Sequence, residues 1–159
     1  NTKTPTALIL SRQNIDNLPE TENAYHTALQ AKKGAYIVLQ PENKPDVVLV
    51  ANGSEVSTMV EGAKLLAEKD NLNVQVVSAP SEGLFRQQPE DYQESVLPNG
   101  IPRFGLTAGL PTTLAGLIGE NGTVFGMESF GYSAPYKVLD EKLGFNGENV
   151  YKQVKNMLS

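Results

Sequence analysis

Two hydrophobic patterns take turns along this chain. Unbroken apolar runs occur at Ala7-Leu8-Ile9-Leu10, Tyr36-Ile37-Val38-Leu39 and Val47-Val48-Leu49-Val50-Ala51. Runs this short and this rich in β-branched residues predict strands, and the third reads as a strand buried on both faces. Between strands at residues 36–40 and 46–51 lies only Pro41-Glu42-Asn43-Lys44-Pro45, too short for a parallel crossover. If those two strands are neighbours they are antiparallel, which makes the first an edge strand. The second pattern then takes over. Val56, Met59, Val60, Ala63, Leu66 and Ala67 recur at helical spacing up to the turn at Asp70-Asn71, behind an Asn52 and Glu55 placed as in a capping box.

The alternation continues to the last residues. Val74-Gln75-Val76-Val77-Ser78 predicts a strand, and Pro89 stands near the first turn of a short helix carrying Tyr92 and Val96. Residues 101–106 read as a strand, since the missing donor of Pro102 is tolerable at a strand start. A small-residue helix over 111–118 and a strand over 123–127 follow. Ser133 is placed to cap a helix holding Val138, Leu139 and Leu143 and stopped by Gly144, and Asn146 to cap a last helix with the stripe Val150, Val154 and Leu158. The sum is an α/β fold: a three-layer α/β/α sandwich around a mostly parallel sheet of about five strands, with one antiparallel edge strand.

Residues 13–33 break the pattern, being rich in Asn, Glu, Thr and Ala with no apolar stripe. They read as a linker on a surface, which puts the start of the self-contained domain near Gly34 and leaves the run at 7–10 without a sheet of its own. With 159 residues, 40% of them hydrophobic, one domain plus an appended piece is the natural organisation. The formal net charge of -5 argues against a phosphate-backbone footprint, so nucleic acid is not an expected partner. No apolar run approaches the roughly 20 residues that span a bilayer. There is no cysteine, hence no thiolate metal site, and no signal-peptide pattern, so a cytoplasmic location is expected.

Chemistry inside residues 34–159 is sparse. The turn Ala51-Asn52-Gly53-Ser54-Glu55 delivers a buried strand to a helix N-terminus, a geometry able to bind anions. Yet the phosphate-loop glycine patterns are missing, and Glu55 in the first turn repels an anion while suiting the helix dipole. The lone His26 lies in the linker. Ser54, Ser57, Ser78, Ser81, Ser95 and Ser133 therefore have no histidine base within the domain, which excludes a Ser/His/Asp nucleophile. Glu82 and Glu128 could meet across strand ends, although surface carboxylates are the default. Phe125, Phe130 and Phe145 are expected in the core. Arg12 stands apart: it follows an apolar strand, and in open α/β sheets ligands sit beyond the carboxyl ends of strands, where a guanidinium fork suits phosphate or carboxylate.

The run Ala7-Leu8-Ile9-Leu10-Ser11-Arg12-Gln13-Asn14 resembles the boundary between the pyrimidine-binding and C-terminal domains of transketolases. In order after it come Lys33-Gly34-Ala35-Tyr36, Ala51-Asn52-Gly53-Ser54-Glu55-Val56, Val76-Val77-Ser78-Ala79-Pro80-Ser81, Val96-Leu97-Pro98, Phe130-Gly131-Tyr132-Ser133-Ala134-Pro135 and Leu143-Gly144-Phe145. The sequence departs from the usual pattern at Asn52, where Thr is common, and at Leu106-Thr107-Ala108-Gly109, where Val-Glu-Ala-Gly is. The resemblance implies a parent enzyme of the pentose phosphate pathway that moves two-carbon ketol units between sugar phosphates, as a homodimer using thiamine diphosphate and a divalent cation (Mg or Ca). It assigns residues 1–33 to the last strand of the pyrimidine-binding domain plus the linker, and 34–159 to the C-terminal domain. The cofactor-binding, metal-binding and catalytic residues belong, by the same resemblance, to preceding domains. This chain is then expected to be a fragment with a structural and assembly role, inactive and cofactor-free by itself, with Arg12 as its one substrate-binding residue. Dihydroxyacetone synthase, a dehydrogenase E1 β-subunit and an independent nucleotide-binding module are the alternatives.

Overall fold

The computed structural model describes residues 5, 7–11, 13–15, 17, 18 and 27–159. Five strands, β1 (Tyr36–Leu39), β2 (Val47–Ala51), β3 (Val74–Ser78), β4 (Arg103–Thr107) and β5 (Thr123–Gly126), form a single sheet in the order β1-β3-β2-β4-β5. Pairings among β3, β2, β4 and β5 are parallel, in register from Val47 opposite Val74, Val48 opposite Arg103 and Phe104 opposite Thr123. Only β1 runs antiparallel, with Tyr36 opposite Ser78. It is an edge strand as expected, but its neighbour is β3, not β2. The Pro41–Pro45 connection therefore does not make a hairpin; it carries the chain past the place that β3 later fills.

β2 lies at the middle of the sheet and is covered on both sides, which is why its sequence is apolar without alternation. Val47, Leu49 and Ala51 face one cluster and Val48 and Val50 the other, following the two-residue period of a strand. On the first face lie α1 (Glu55–Asp70) and α6 (Gly147–Leu158), contributing Val56, Met59, Ala63, Leu66, Val150 and Val154. On the other lie α2 (Glu82–Arg86), α3 (Glu90–Val96) and α4 (Thr112–Ile118), with Phe85, Val96, Leu114, Leu117 and Ile118. A further helix, α5 (Tyr136–Leu143), has no fully buried residue. The result is the three-layer sandwich.

Several local expectations need correction. Asn52 does not cap α1: the helix begins after Ser54, which sits in helical backbone, and Ser54 Oγ donates to Glu55 Oε1 at 2.7 Å instead of taking a backbone proton. Ser133 does not cap α5, whose first helical residue follows Pro135, a residue that presets the backbone but supplies no side-chain acceptor. β4 starts after Pro102, where a backbone donor becomes available. The segment before Gly34 is not featureless, since Leu29–Lys33 forms a 3-10 turn. Gly34 ends that turn at φ 93°, and a Cβ there would strike the Ser81 carbonyl and the Phe85 nitrogen, so only glycine fits. Its carbonyl accepts the Ser81 N–H at 2.9 Å, and the Tyr92 hydroxyl donates to Ala35 O at 2.9 Å, tying the chain's entry into β1 to α2 and α3.

Candidate functional site

The sheet order reverses direction at β2: β3 is built on one side of it and β4 on the other. Carboxyl ends of neighbouring strands then send their chains to opposite faces, opening a crevice of the kind where α/β proteins bind ligands. Here several polar groups at the strand ends are bonded within the chain itself. Thr107 is buried and its Oγ1 accepts the Gly109 N–H at 3.0 Å, while Gly109 O accepts the Met127 N–H at 2.9 Å. Ala51 O takes the Ala79 N–H at 2.8 Å, and Ser81 Oγ caps α2 through Leu84 N. Leu106-Thr107-Ala108-Gly109, one of the two departures noted above, is thus a self-satisfied turn that places an alcohol where a carboxylate is usual.

Arg12 and His26 lie outside the described residues. The neighbours of Arg12 are described: Gln13, Asn14 and Ile15 line a cavity of about 360 Å³ together with Ser54, Glu55 and Asp140. This cavity has a lining of mixed charge, with Lys137 among several carboxylates. Glu61 and Glu141 add to its acid, Ser54 already holds Glu55 at the start of α1, and burial pushes the Asp140 carboxyl above its ordinary range. Ser57 Oγ donates to Ser54 O at 2.9 Å and Ser95 Oγ to Tyr92 O at 2.7 Å, so these hydroxyls serve helices and not a reaction. Glu82 and Glu128 do not meet: Glu82 accepts from Arg86 Nε at 2.7 Å, and Glu128 is exposed in the loop after β5.

Two arginines outside the sequence reading border the larger cavity, of about 480 Å³, between α2, α3 and α4. Both are spent on structure. Arg103 donates through Nη1 to Leu117 O at 2.9 Å and through Nη2 to Leu97 O at 2.8 Å and Pro98 O at 3.2 Å. Arg86 Nη2 donates to Gly116 O at 2.6 Å. Burial lowers the Arg103 pKa from its ordinary value, an effect opposed by the charge of Glu94. Gln75 was equally silent in the sequence. It is a buried polar residue in a central position, and its Nε2 donates to Val96 O at 2.8 Å. Only its interruption of an apolar run signalled it.

Phe125 and Phe145 do pack together, ring centroids 5.6 Å apart. Phe130 does not belong to the core: it is 98% exposed, in the loop that also carries Tyr132. With Leu8, Ile9 and Leu10, which are 81, 97 and 81% exposed, it is apolar surface that this chain leaves open.

A family model described as "Transketolase-like TK C-terminal domain" matches residues 34–146. The chain belongs to the transketolase family. A transketolase of Staphylococcus epidermidis is 39% identical over 156 residues, which is 98% of this chain and 23% of that protein. Among solved structures, the transketolase from Leishmania mexicana superposes with a TM-score of 0.73 at 36% identity, covering 81% of this chain and 18% of its own. That of Pichia stipitis, solved in complex with sedoheptulose-7-phosphate, superposes with a TM-score of 0.72 at 32% identity, over 90% of this chain and 20% of its own. The chain thus spans about a quarter of the length of the curated transketolases it matches, and corresponds to their C-terminal part. No described helix is long and apolar enough to cross a membrane.

Proposed function

We propose that this chain works as the C-terminal part of a transketolase that transfers two-carbon ketol units between sugar phosphates in the cytoplasm, as a homodimer. The observation that carries this reading is the 39% identity running over 98% of the chain. The sugar-phosphate ligand of the Pichia stipitis relative supports the substrate class. In this reading residues 1–33 complete the pyrimidine-binding domain and connect it to residues 34–159. The described residues hold no group of His, Cys, Asp or Glu suited to a metal ion, and the acidic start of α1 does not suit a diphosphate. By the resemblance, thiamine diphosphate and its divalent cation belong to the preceding domains of the parent. What this chain supplies is the packing of a third domain and, through Arg12, a cationic fork for the substrate phosphate.

One exposed arginine contact is worth about 0 to 1 kcal/mol, whereas millimolar affinity takes roughly 4 kcal/mol. The chain alone should therefore show no measurable sugar-phosphate binding. The test joins this chain to the preceding part of the Staphylococcus epidermidis transketolase. The chimera should transfer ketol groups, and Arg12→Ala should raise KM for phosphorylated ketose donors while leaving turnover of hydroxypyruvate nearly unchanged. Arg12→Lys should recover part of the loss, because an ammonium cannot form the bidentate fork. A folded but inactive chimera would overturn the family function, and equal impairment with both donors would overturn the role of Arg12.

A further inference from the structure

Four asparagines in this chain are followed directly by glycine: Asn52, Asn99, Asn121 and Asn146. With no Cβ on the second residue, its backbone nitrogen can reach the asparagine Cγ wherever the chain is free to swing. The fold distributes that freedom unequally. Asn146 caps α6: its Oδ1 accepts the Asn149 N–H at 2.9 Å, its Nδ2 lies 3.5 Å from Asp140 O, and Gly147 is the first residue of the helix. Asn99 is held at both ends by one carboxylate, its N–H donating to Glu94 Oε1 at 3.0 Å and its Nδ2 to Glu94 Oε2. Asn52 is half-buried between Ala51, whose carbonyl is bonded to Ala79, and Gly53, whose carbonyl accepts the Val56 N–H. Asn121 has none of this. It is exposed in the turn between α4 and β5, and no side-chain hydrogen bond reaches it among the described residues.

We propose that Asn121 is a site of spontaneous deamidation and isoaspartate formation. The Gly122 nitrogen gives up its proton and bonds to Asn121 Cγ. The Cγ–Nδ2 bond breaks, and the amide nitrogen leaves as ammonia with the added proton. Water then opens the resulting succinimide at either carbonyl, giving aspartate or isoaspartate with no oxidant or reductant. The reactive pair is built into the fold, because a Cβ on residue 122 would strike the Arg103 carbonyl oxygen and Ile118 Cγ2. The glycine that makes Asn121 labile is the one that lets the turn close over β4. The product adds a negative charge beside Glu120 and, as isoaspartate, one methylene to the backbone just before an edge strand.

The test incubates the folded chain, and the same chain in urea, at neutral and mildly alkaline pH. Peptide mapping by mass spectrometry follows the NH2-to-OH mass change, and labelling with an isoaspartyl methyltransferase detects isoaspartate. In the folded chain Asn121 should convert severalfold faster than the other three, and faster as pH rises because the attacking nitrogen must lose a proton. In urea the four rates should converge. Glu94→Ala should accelerate Asn99 and leave Asn121 unchanged. Equal rates at all four sites in the folded chain, or an Asn121 rate far below its rate in urea, would overturn the proposal.

Discussion

Asp70 and Lys155 show how much one ion pair can organise when it joins two helices. Lys155 Nζ on α6 donates to Asp70 Oδ1, the last residue of α1, at 2.6 Å, and both pKa values respond. The lysine hydrogen bond holds the carboxyl below its ordinary range, and the carboxylate in turn raises the lysine. For the depressed acid, the stabilisation is present above the ordinary carboxylate range and is lost as pH falls through the lowered value. For the raised base, it is present below the ordinary lysine range and is lost as pH rises through the raised value. The clasp therefore acts fully at neutral pH and fails at both extremes. Asp70→Asn should lower the melting temperature at pH 7 and make stability less sensitive to acid below pH 4, measured by calorimetry across pH. An unchanged acid sensitivity would mean that other carboxylates dominate.

The crossing of α1 and α6 depends on Gly62, which lets Val150 approach the α1 backbone; a Cβ at residue 62 would lie 2.7 Å from Val150 Cβ. Gly62→Ala gains about 1 kcal/mol of helix propensity but overpacks a contact worth about 1 to 3 kcal/mol. The overpacking should win, and urea denaturation should show a net loss of about 1 kcal/mol. Adding Val150→Ala should then cost less than it does alone, since the two changes share one space. Strands and long helices were legible in the sequence because burial imposes a period on them. All five strands and the α1 stripe were readable for that reason. The caps were less so: Asn52 and Ser133 have the right chemistry but stand two residues before the observed caps, Ser54 and Pro135, a placement only the folded chain determines. α2 escaped notice because five residues carry too little period. Arg103 could not have been singled out, since its partners are backbone carbonyls that every residue has, and Gln75 was marked only by interrupting an apolar run.

At the scale of the whole molecule, the most exposed large apolar residues among those described lie on the segment at 7–10 and on the loop bearing Phe130 and Tyr132. Exposed apolar surface of this kind marks an interface. The chain on its own should self-associate with rising concentration, and Leu8→Lys with Leu10→Lys should shift sedimentation toward monomer without moving the melting temperature. A wild-type chain that stays monomeric would count against that surface being adhesive. The sequence pointed to a candidate site only through Arg12, which lies outside the described residues, and the groups that would complete such a site are not sequence neighbours of it. Sheet order carries one more consequence, in time instead of space. β1 leaves the ribosome well before β3, its antiparallel partner, and α1 must be made in between. Throughout that interval Tyr36-Ile37-Val38-Leu39 has both backbone edges open, while α1 can form from local contacts alone. The nascent chain thus carries a waiting strand until β3 is made.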